Sequence, residues 1–190
     1  MSVSAASILK KFVLLGSMLA LFSIPVHSES LALDDNAPDF SLPDSSGKLT
    51  YSLEQYRGKK IVYLDFFATW CTTCREEMSR LKELNSRYKN QGLEVIAINV
   101  QEGPDKVNKF IAKYEIPFPV LLDEKAAVAK LYNLVGFPFN LIIDGNGKIR
   151  YMGSEPPKNF PELFSDLKNT LKAPEKATPV KTNQKAAPKQ

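Results

Sequence analysis

The stretch that decides the fold runs Asp65-Phe66-Phe67-Ala68-Thr69-Trp70-Cys71-Thr72-Thr73-Cys74-Arg75-Glu76-Glu77. The apolar residues 61–64 lead into it, and residues 78–84 follow with the apolar spacing of a helix. Cys71 and Cys74 are therefore predicted to lie where a buried strand ends and a helix begins. A helix N-terminus has unpaired N–H groups and a positive dipole end, which favour an anion. This position favours the thiolate of Cys71, which is the nucleophilic form of cysteine.

Three uses of the cysteine pair are compatible with its spacing. A purely structural disulfide would close a very small loop, which constrains the unfolded chain least. Zinc needs about four ligands, but Cys71 and Cys74 are the only cysteines and His27 is the only histidine. A zinc site would therefore need ligands shared in a dimer. A redox dithiol needs only two sulfurs that meet across one helical turn, and the pattern favours this use over the two alternatives.

Residues 1–28 are predicted to be a signal peptide. Lys10 and Lys11 form its positive region, and residues 12–26 form an apolar run of fifteen residues. That run is shorter than the roughly 20 residues of a membrane-spanning helix. An uncleaved N-terminal anchor is the alternative, and in both cases the folded part is periplasmic or otherwise extracytoplasmic. Cleavage also removes His27, so the mature chain has no histidine base.

The rest of the 190-residue chain is predicted to form one domain, residues 29–172. Residues 173–190 are rich in Lys, Pro and Ala, and we expect a disordered tail there because this composition has little to bury. The formal net charge is +4, but two lysines in residues 1–28 and five lysines with one glutamate in the last twenty residues leave −2 for residues 29–170. Such a nearly neutral domain has no electrostatic footprint for nucleic acid.

Apolar runs alternate with helical patterns along the domain. A hairpin is predicted at its start, from residues 37–42 and 49–51 around a turn at 44–47. Buried strands are then predicted at residues 60–67, 93–100 and 119–123, helices at 71–90, 104–114, 126–133 and 160–171, and a second hairpin at 139–152. This order predicts the α/β class, with a central mixed β-sheet flanked by helices.

These residues resemble the extracytoplasmic TlpA/ResA type of thioredoxin-fold protein, and also the CcmG-type reductases of cytochrome c maturation. The resemblance covers about residues 37–171. It rests on the stretch with both cysteines, on Ala37-Pro38-Asp39-Phe40 and on Val135-Gly136-Phe137-Pro138. It implies a thioredoxin-like fold with an N-terminal hairpin and an inserted strand–helix unit before Pro138. It also implies a redox-active disulfide between Cys71 and Cys74.

Each residue near the dithiol receives an expected role. Cys71 attacks a substrate disulfide and forms a mixed disulfide, which Cys74 then resolves. The resemblance implies that Pro138 is a cis-proline beside the disulfide, with free backbone that pairs with substrate. Trp70 either covers the dithiol or packs against a neighbour, and the resemblance favours the covering role. Substrate contacts are expected at Trp70, Thr72, Thr73, Phe137 and Pro138.

Two positions depart from the pattern of the family. Thr73 stands where the family usually has proline, just before the second cysteine. Phe139 stands where the family usually has threonine or glutamate, just after the proline. The first departure bears on the redox potential, and the second bears on substrate preference.

Two acids are candidates for deprotonating Cys74. Asp65 lies in an apolar strand, and burial would raise its pKa toward the range useful for a base. The alternative for Asp65 is a salt bridge to Lys59 or Lys60. Glu77 lies three residues after Cys74 and so shares its helix face. The alternative for Glu77 is a solvated helix position.

The sequence thus predicts a thiol–disulfide oxidoreductase that reduces protein disulfides and needs no metal or bound cofactor. The resemblance implies a membrane electron donor of the DsbD or CcdA type, with apocytochrome c as a possible substrate. A peroxiredoxin-like peroxidase is one alternative, but the Pro and Thr of its P-x-x-x-T-x-x-C motif are replaced here by Leu64 and Ala68. A thioredoxin-fold binding module without catalysis is the other.

Overall fold

The computed structural model describes residues 30–171, which form a five-stranded mixed sheet with helices on both faces. The strand order is β5-β4-β3-β6-β7, and a separate two-stranded sheet pairs β1 with β2. The strands are β1 Ser41–Pro43, β2 Thr50–Ser52, β3 Ile61–Phe67, β4 Leu93–Val100, β5 Val120–Asp123, β6 Phe139–Ile143 and β7 Ile149–Gly153. The α-helices are α1 Thr72–Tyr88, α2 Pro104–Tyr114, α3 Ala127–Leu131 and α4 Phe160–Leu167.

Strand β3 is the centre of the sheet, and all seven of its residues are buried. It runs parallel to β4 and antiparallel to β6. Because side chains alternate along a strand, β3 sends one set to each face of the sheet. Tyr63 and Phe67 pack in the core beneath α1, α2 and α4, whereas Leu64 and Phe66 pack in the core beneath α3 and the N-terminal segment. Asp65 thereby faces α1, the helix that begins at the cysteines.

The predicted α/β class, the mixed sheet and the N-terminal hairpin are confirmed. Strand β4 and helix α2 have the predicted bounds, and α2 and β5 lie in the region predicted to contain the inserted unit. Helix α3 is shorter than predicted. Ala126 has a positive φ of 54°, and the Asp123 carboxylate accepts hydrogen bonds from the N–H groups of Ala127 and Ala129. The helix therefore begins after Ala126 and is capped from the end of β5.

The predicted signal peptide and the predicted tail lie outside the described residues. Within residues 30–171, no helix is both long and apolar enough to cross a membrane.

Candidate active site

The two cysteines form a disulfide at the start of α1. Cys71 is the N-cap residue, and its Sγ accepts a hydrogen bond from the Cys74 N–H at 3.1 Å. The Cα atoms of the pair are 5.3 Å apart, within the usual range for a disulfide. Cys71 is 7% exposed and Cys74 is completely buried. An incoming partner can therefore reach Cys71 first, whereas Cys74 can act only from inside the protein.

Glu102 fixes the loop that precedes Cys71. Its carboxylate accepts hydrogen bonds from the Thr69 N–H at 2.6 Å, the Thr69 hydroxyl at 2.7 Å and the Asn99 amide at 2.7 Å. It also pairs with Lys106 at 2.6 Å. Burial alone would raise the pKa of Glu102, but these partners outweigh burial and lower it. The sequence analysis did not identify Glu102, although its position just after β4 puts it next to the end of the parallel strand β3.

Arg75 folds back over the same loop. Its guanidinium donates hydrogen bonds to the carbonyl oxygens of Thr69 and Trp70 at 3.3 and 3.2 Å, and to the Thr72 hydroxyl at 2.9 Å. Thr72 and Thr73 are both exposed at the helix start. Thr72 therefore keeps its own O–H group available while its oxygen is held by Arg75.

The bond between Phe137 and Pro138 is cis. Pro138 is buried, and the Phe137 ring meets the Trp70 indole edge to face, with centroids 5.8 Å apart. Trp70 is 63% exposed and Val135 is 99% exposed. The indole thus packs on a neighbour, one of the two expected arrangements, and leaves much of its surface open. Trp70 therefore gives the site an exposed apolar surface next to Cys71.

Asp65 is completely buried on the face of the sheet that α1 covers. Neither carboxylate oxygen has a hydrogen-bond partner among the described residues. The alternative of a salt bridge to Lys59 or Lys60 is wrong: the Lys59 ammonium donates instead to the Gln55 carbonyl. Burial first, and then the charge of Glu77, raise the pKa of Asp65 well above its ordinary value. The ionised form of such a buried carboxyl is therefore a stronger base than an ordinary aspartate.

Glu77 is only 9% exposed, so the alternative of a solvated helix position is wrong. Burial raises its pKa to about 7, and the Asn140 side chain acts in the opposite direction. Glu155 raises the pKa further and Arg80 lowers it. The Asn140 Nδ2 has no hydrogen bond of good geometry with a described residue, so we regard the amide as a nearby donor without a formed bond.

Asn140 and Tyr63 complete this buried polar cluster, and the sequence analysis identified neither. The Tyr63 hydroxyl donates a hydrogen bond to Asn140 Oδ1 at 2.8 Å, and Asn140 is completely buried. Burial, followed by the charges of Glu77 and Asp65, raises the pKa of Tyr63. Tyr63 is therefore a neutral donor at ordinary pH. An asparagine in the middle of the apolar run Phe139–Ile143 is the signal in the sequence that could have indicated this cluster.

The arrangement has one clear chemical capability. The sulfur of Cys71, the less buried of the two cysteines, can attack a disulfide from the helix N-terminus, and the fully buried sulfur of Cys74 can resolve the resulting mixed disulfide. Two carboxyl groups with raised pKa lie on the side of the sheet where that second sulfur must lose its proton. Together with the fold, these features define a thiol–disulfide oxidoreductase of the thioredoxin fold.

Comparison with known proteins agrees with this class. The chain belongs to the AhpC/TSA family, whose model matches residues 33–152. It is 39% identical over 121 residues to the thiol–disulfide oxidoreductase ResA of Geobacillus kaustophilus, covering 64% of this chain and 68% of that protein. It is 35% identical over 121 residues to ResA of Bacillus subtilis, covering 64% of this chain and 66% of that one.

A solved structure leads to the same result. A Chlorobium tepidum protein assigned as thiol:disulfide interchange protein DsbE matches with a TM-score of 0.65 and 33% sequence identity. The match covers 75% of this chain and all of that one. The predicted family and the predicted enzyme class are therefore confirmed.

Proposed function

We propose that this protein works outside the cytoplasm as a reductant of protein disulfides, with apocytochrome c as a candidate substrate. The single observation that carries the direction of the reaction is a pair of buried carboxyls near the dithiol: Glu77 lies three residues after Cys74 on α1, and Asp65 lies on the face of β3 that α1 covers. A reductant must resolve each mixed disulfide quickly, and this step requires Cys74 to lose a proton inside the protein. The similarity to thiol–disulfide oxidoreductases supports exchange chemistry, and the pattern of residues 1–28 supports export.

The reaction proceeds in two exchanges. The Cys71 thiolate attacks one sulfur of the substrate disulfide, and the other substrate sulfur leaves as a thiolate that takes up a proton. Cys74 gives its proton to a buried carboxylate, and the resulting thiolate attacks Cys71 Sγ. The bond between Cys71 and the substrate breaks, and the second substrate sulfur leaves as a thiolate that takes up a proton. The substrate gains two electrons and two protons, and the protein is left with the Cys71–Cys74 disulfide. A membrane dithiol donor of the DsbD or CcdA type would reduce that disulfide again.

Reduction of insulin tests the activity, with Cys71→Ser as the control. We expect turnover by the parent protein and none by the variant. A Cys74→Ser variant should stall at the mixed disulfide, so its covalent partners can be isolated from cells and identified. Recovery of apocytochrome c would support the substrate, and recovery of the protein from the cytoplasmic fraction would contradict the location.

Consumption of peroxide separates this proposal from a thiol peroxidase. Leu64 and Ala68, which occupy the Pro and Thr places of the peroxidase motif, are completely buried and carry no hydroxyl. We therefore expect the reduced protein to consume peroxide no faster than a free dithiol does. A faster rate that depends on Cys71 would favour the peroxidase.

A further inference from the structure

A cleft of about 370 Å³ opens next to the loop that holds Cys71. Thr69 contributes to its wall, and the remaining lining consists of Arg75, Lys106, Lys109, Phe110, Lys113 and Tyr114. Within the described part of the chain, the residues that line this cleft include four cations and no carboxylate. The lining of the cleft is therefore positive, although residues 29–170 as a whole carry a net charge of −2.

One acid beside these cations, Glu102, is already occupied. Glu102 pairs with Lys106, but its oxygens also accept bonds from Thr69 and Asn99. Its side chain is therefore used to fix the loop. Neither Lys109 nor Lys113 forms an ion pair with any residue that the structure describes, and the Lys113 ammonium lies 5.4 Å from the Tyr114 ring centroid. Two exposed cations of α2 thus have no ion pair among the described residues, and the nearby Asp105, one turn before Lys109, leaves α2 with more positive than negative charge.

The guanidinium of Arg75 is fixed in advance. Its hydrogen bonds to Thr69, Trp70 and Thr72 hold it against the loop, and it is half buried there. An arginine that is already ordered loses little entropy when an anion binds. The rings of Phe110 and Tyr114, 4.5 Å apart, add an apolar surface on which the stems of long side chains can lie.

The cleft and Cys71 share the same loop. Thr69 lies two residues before Cys71, and Arg75 lies four residues after it. A polypeptide whose disulfide reacts at Cys71 therefore brings its neighbouring residues close to the cleft. We propose that this cleft binds an acidic segment, rich in Asp or Glu, of the protein partner that exchanges its disulfide at Cys71. This inference rests on the proposed function and adds the charge of the partner to it.

The test uses three synthetic peptides with the same disulfide, flanked by Glu, Gln or Lys residues. Stopped-flow mixing with the reduced protein at low salt gives the second-order rate of mixed-disulfide formation. Electrostatic steering typically changes association rates by about 10- to 1,000-fold. We expect the Glu peptide to react at least about ten-fold faster than the Gln peptide, and this preference to disappear near 0.5 M salt.

Charge reversal locates the effect. The double variant Lys109→Glu, Lys113→Glu should lose the preference for the Glu peptide and react faster with the Lys peptide. The matched control is Lys125→Glu, Lys130→Glu, which makes the same change in net charge around α3, on the opposite face of the sheet. If the control removes the preference equally, net charge is responsible and the cleft is not a binding site.

The Gln peptide separates the two proposals. If it is reduced at the same rate by the parent protein and the α2 variant, the exchange activity is intact and only charge recognition is in question. If it is not reduced at all, the proposed function fails first. Equal rates for all three peptides with the parent protein would overturn the cleft proposal alone.

Discussion

Asp65 on β3 lies directly opposite Asn140 on β6 in the antiparallel register, and both side chains are completely buried. The oxygens of Asp65, the Oε1 of Glu77 and the Nδ2 of Asn140 all lack hydrogen-bond partners among residues 30–171. The cluster therefore contains two acceptor groups and one unused donor. Tyr63, Arg80, Tyr151 and Glu155 are the other charged or titratable groups that act on it.

The Asn140 amide, the unused donor of this cluster, should influence the pH at which Cys74 is deprotonated. Asn140→Leu removes the amide that lowers the pKa of Glu77, so that pKa should rise above about 7. A one-unit rise would reduce the ionised fraction at pH 7 from about a half to about a tenth. The pH midpoint for resolution of the mixed disulfide should therefore move upward, with about five-fold slower resolution at pH 7.

Stopped-flow resolution rates between pH 5 and 9 measure this midpoint. Tyr63→Phe is the companion variant, because it leaves the amide in place but removes the hydroxyl that orients it. It should move the midpoint in the same direction by a smaller amount. A loss of stability in Asn140→Leu without any movement of the midpoint would show that the residue is only structural.

The second prediction separates the two steps of exchange. Asp65→Asn keeps the size of the buried side chain but removes its ability to accept a proton. Resolution by Cys74 should slow by about 100- to 10,000-fold, the usual contribution of a general base, while attack by Cys71 should change little. Both rates can be measured with a fluorescent disulfide substrate. If both steps slow equally, the proton acceptor is Glu77 or solvent.

The third prediction concerns stability against pH. The folded pKa of Glu77 is about 7, above its ordinary value of 4.5, because burial penalises the charge. Its contribution to the free energy of unfolding is therefore fully present below about pH 4.5 and is lost as the pH rises through 7. The reason is that Glu77 ionises at a lower pH in the unfolded chain than in the folded protein. Glu77→Gln should therefore unfold like the parent at pH 4 but be more stable by about 1–3 kcal/mol at pH 8.

Urea unfolding of the oxidised protein at several pH values measures this difference. Asp65→Asn should shift stability in the same direction, because its pKa is also raised. Glu76→Gln removes the same charge at an exposed position one residue earlier and serves as the control. A Glu77→Gln variant that is less stable than the parent at pH 8 would contradict the assignment of an unfavourable buried charge.

The fourth prediction concerns Glu102, whose contribution to folding stability depends on pH in the opposite direction to that of Glu77. Glu102 has a lowered pKa because its partners outweigh burial. Its contribution to the free energy of unfolding is therefore present above about pH 4.5. It is lost as the pH falls through the pKa that Glu102 has in the folded protein. Glu102→Gln turns an amide N–H₂ toward existing donors, so it should cost about 1–3 kcal/mol at pH 7 and slow attack by Cys71.

Lys106→Gln is the matched variant for Glu102. It removes only a partly exposed ion pair, which should be worth about 0–1 kcal/mol. Thermal unfolding and the rate of mixed-disulfide formation measure both variants. Equal losses would mean that the ion pair, and not the hydrogen bonds to Thr69, holds the loop.

The sequence predicted the parts of the site that depend on local order. The uniform apolar run of β3 and the helical pattern after Cys74 fixed the position of the dithiol, and the family resemblance supplied the cis bond at Pro138. Glu102 and Asn140 were missed because their roles depend on which strands are neighbours. Glu102 reaches Thr69 through the parallel pairing of β3 with β4. Asn140 lies opposite Asp65 because β3 pairs with β6 in the antiparallel direction.

The last prediction concerns the redox potential. The dipeptide between the cysteines offers two threonines and no charge. The Thr72 oxygen accepts a hydrogen bond from Arg75, but the Thr72 O–H group can still donate a hydrogen bond to a thiolate. The Thr73 O–H group can do the same. A hydrogen bond to a charged acceptor is worth about 1.5–3 kcal/mol, which corresponds to about 30–60 mV for two electrons. The redox potential of thioredoxin is about −270 mV, and that of protein disulfide isomerase is about −180 mV. We expect the redox potential of this protein to lie between these two values.

Thr73→Pro removes one of these hydroxyls and should lower the potential by about 30–60 mV. Thr72→Val removes the other and should act in the same direction if both hydroxyls stabilise the thiolate. Equilibration with glutathione at pH 7 gives the potential, and Trp70 fluorescence reports the redox state, because Trp70 is the single tryptophan and adjoins Cys71. A parent potential near −120 mV, the value for DsbA, together with an oxidised Cys71–Cys74 pair in cells, would make the protein an oxidant. Electrons would then flow from substrate thiols to this disulfide, opposite to the direction proposed above.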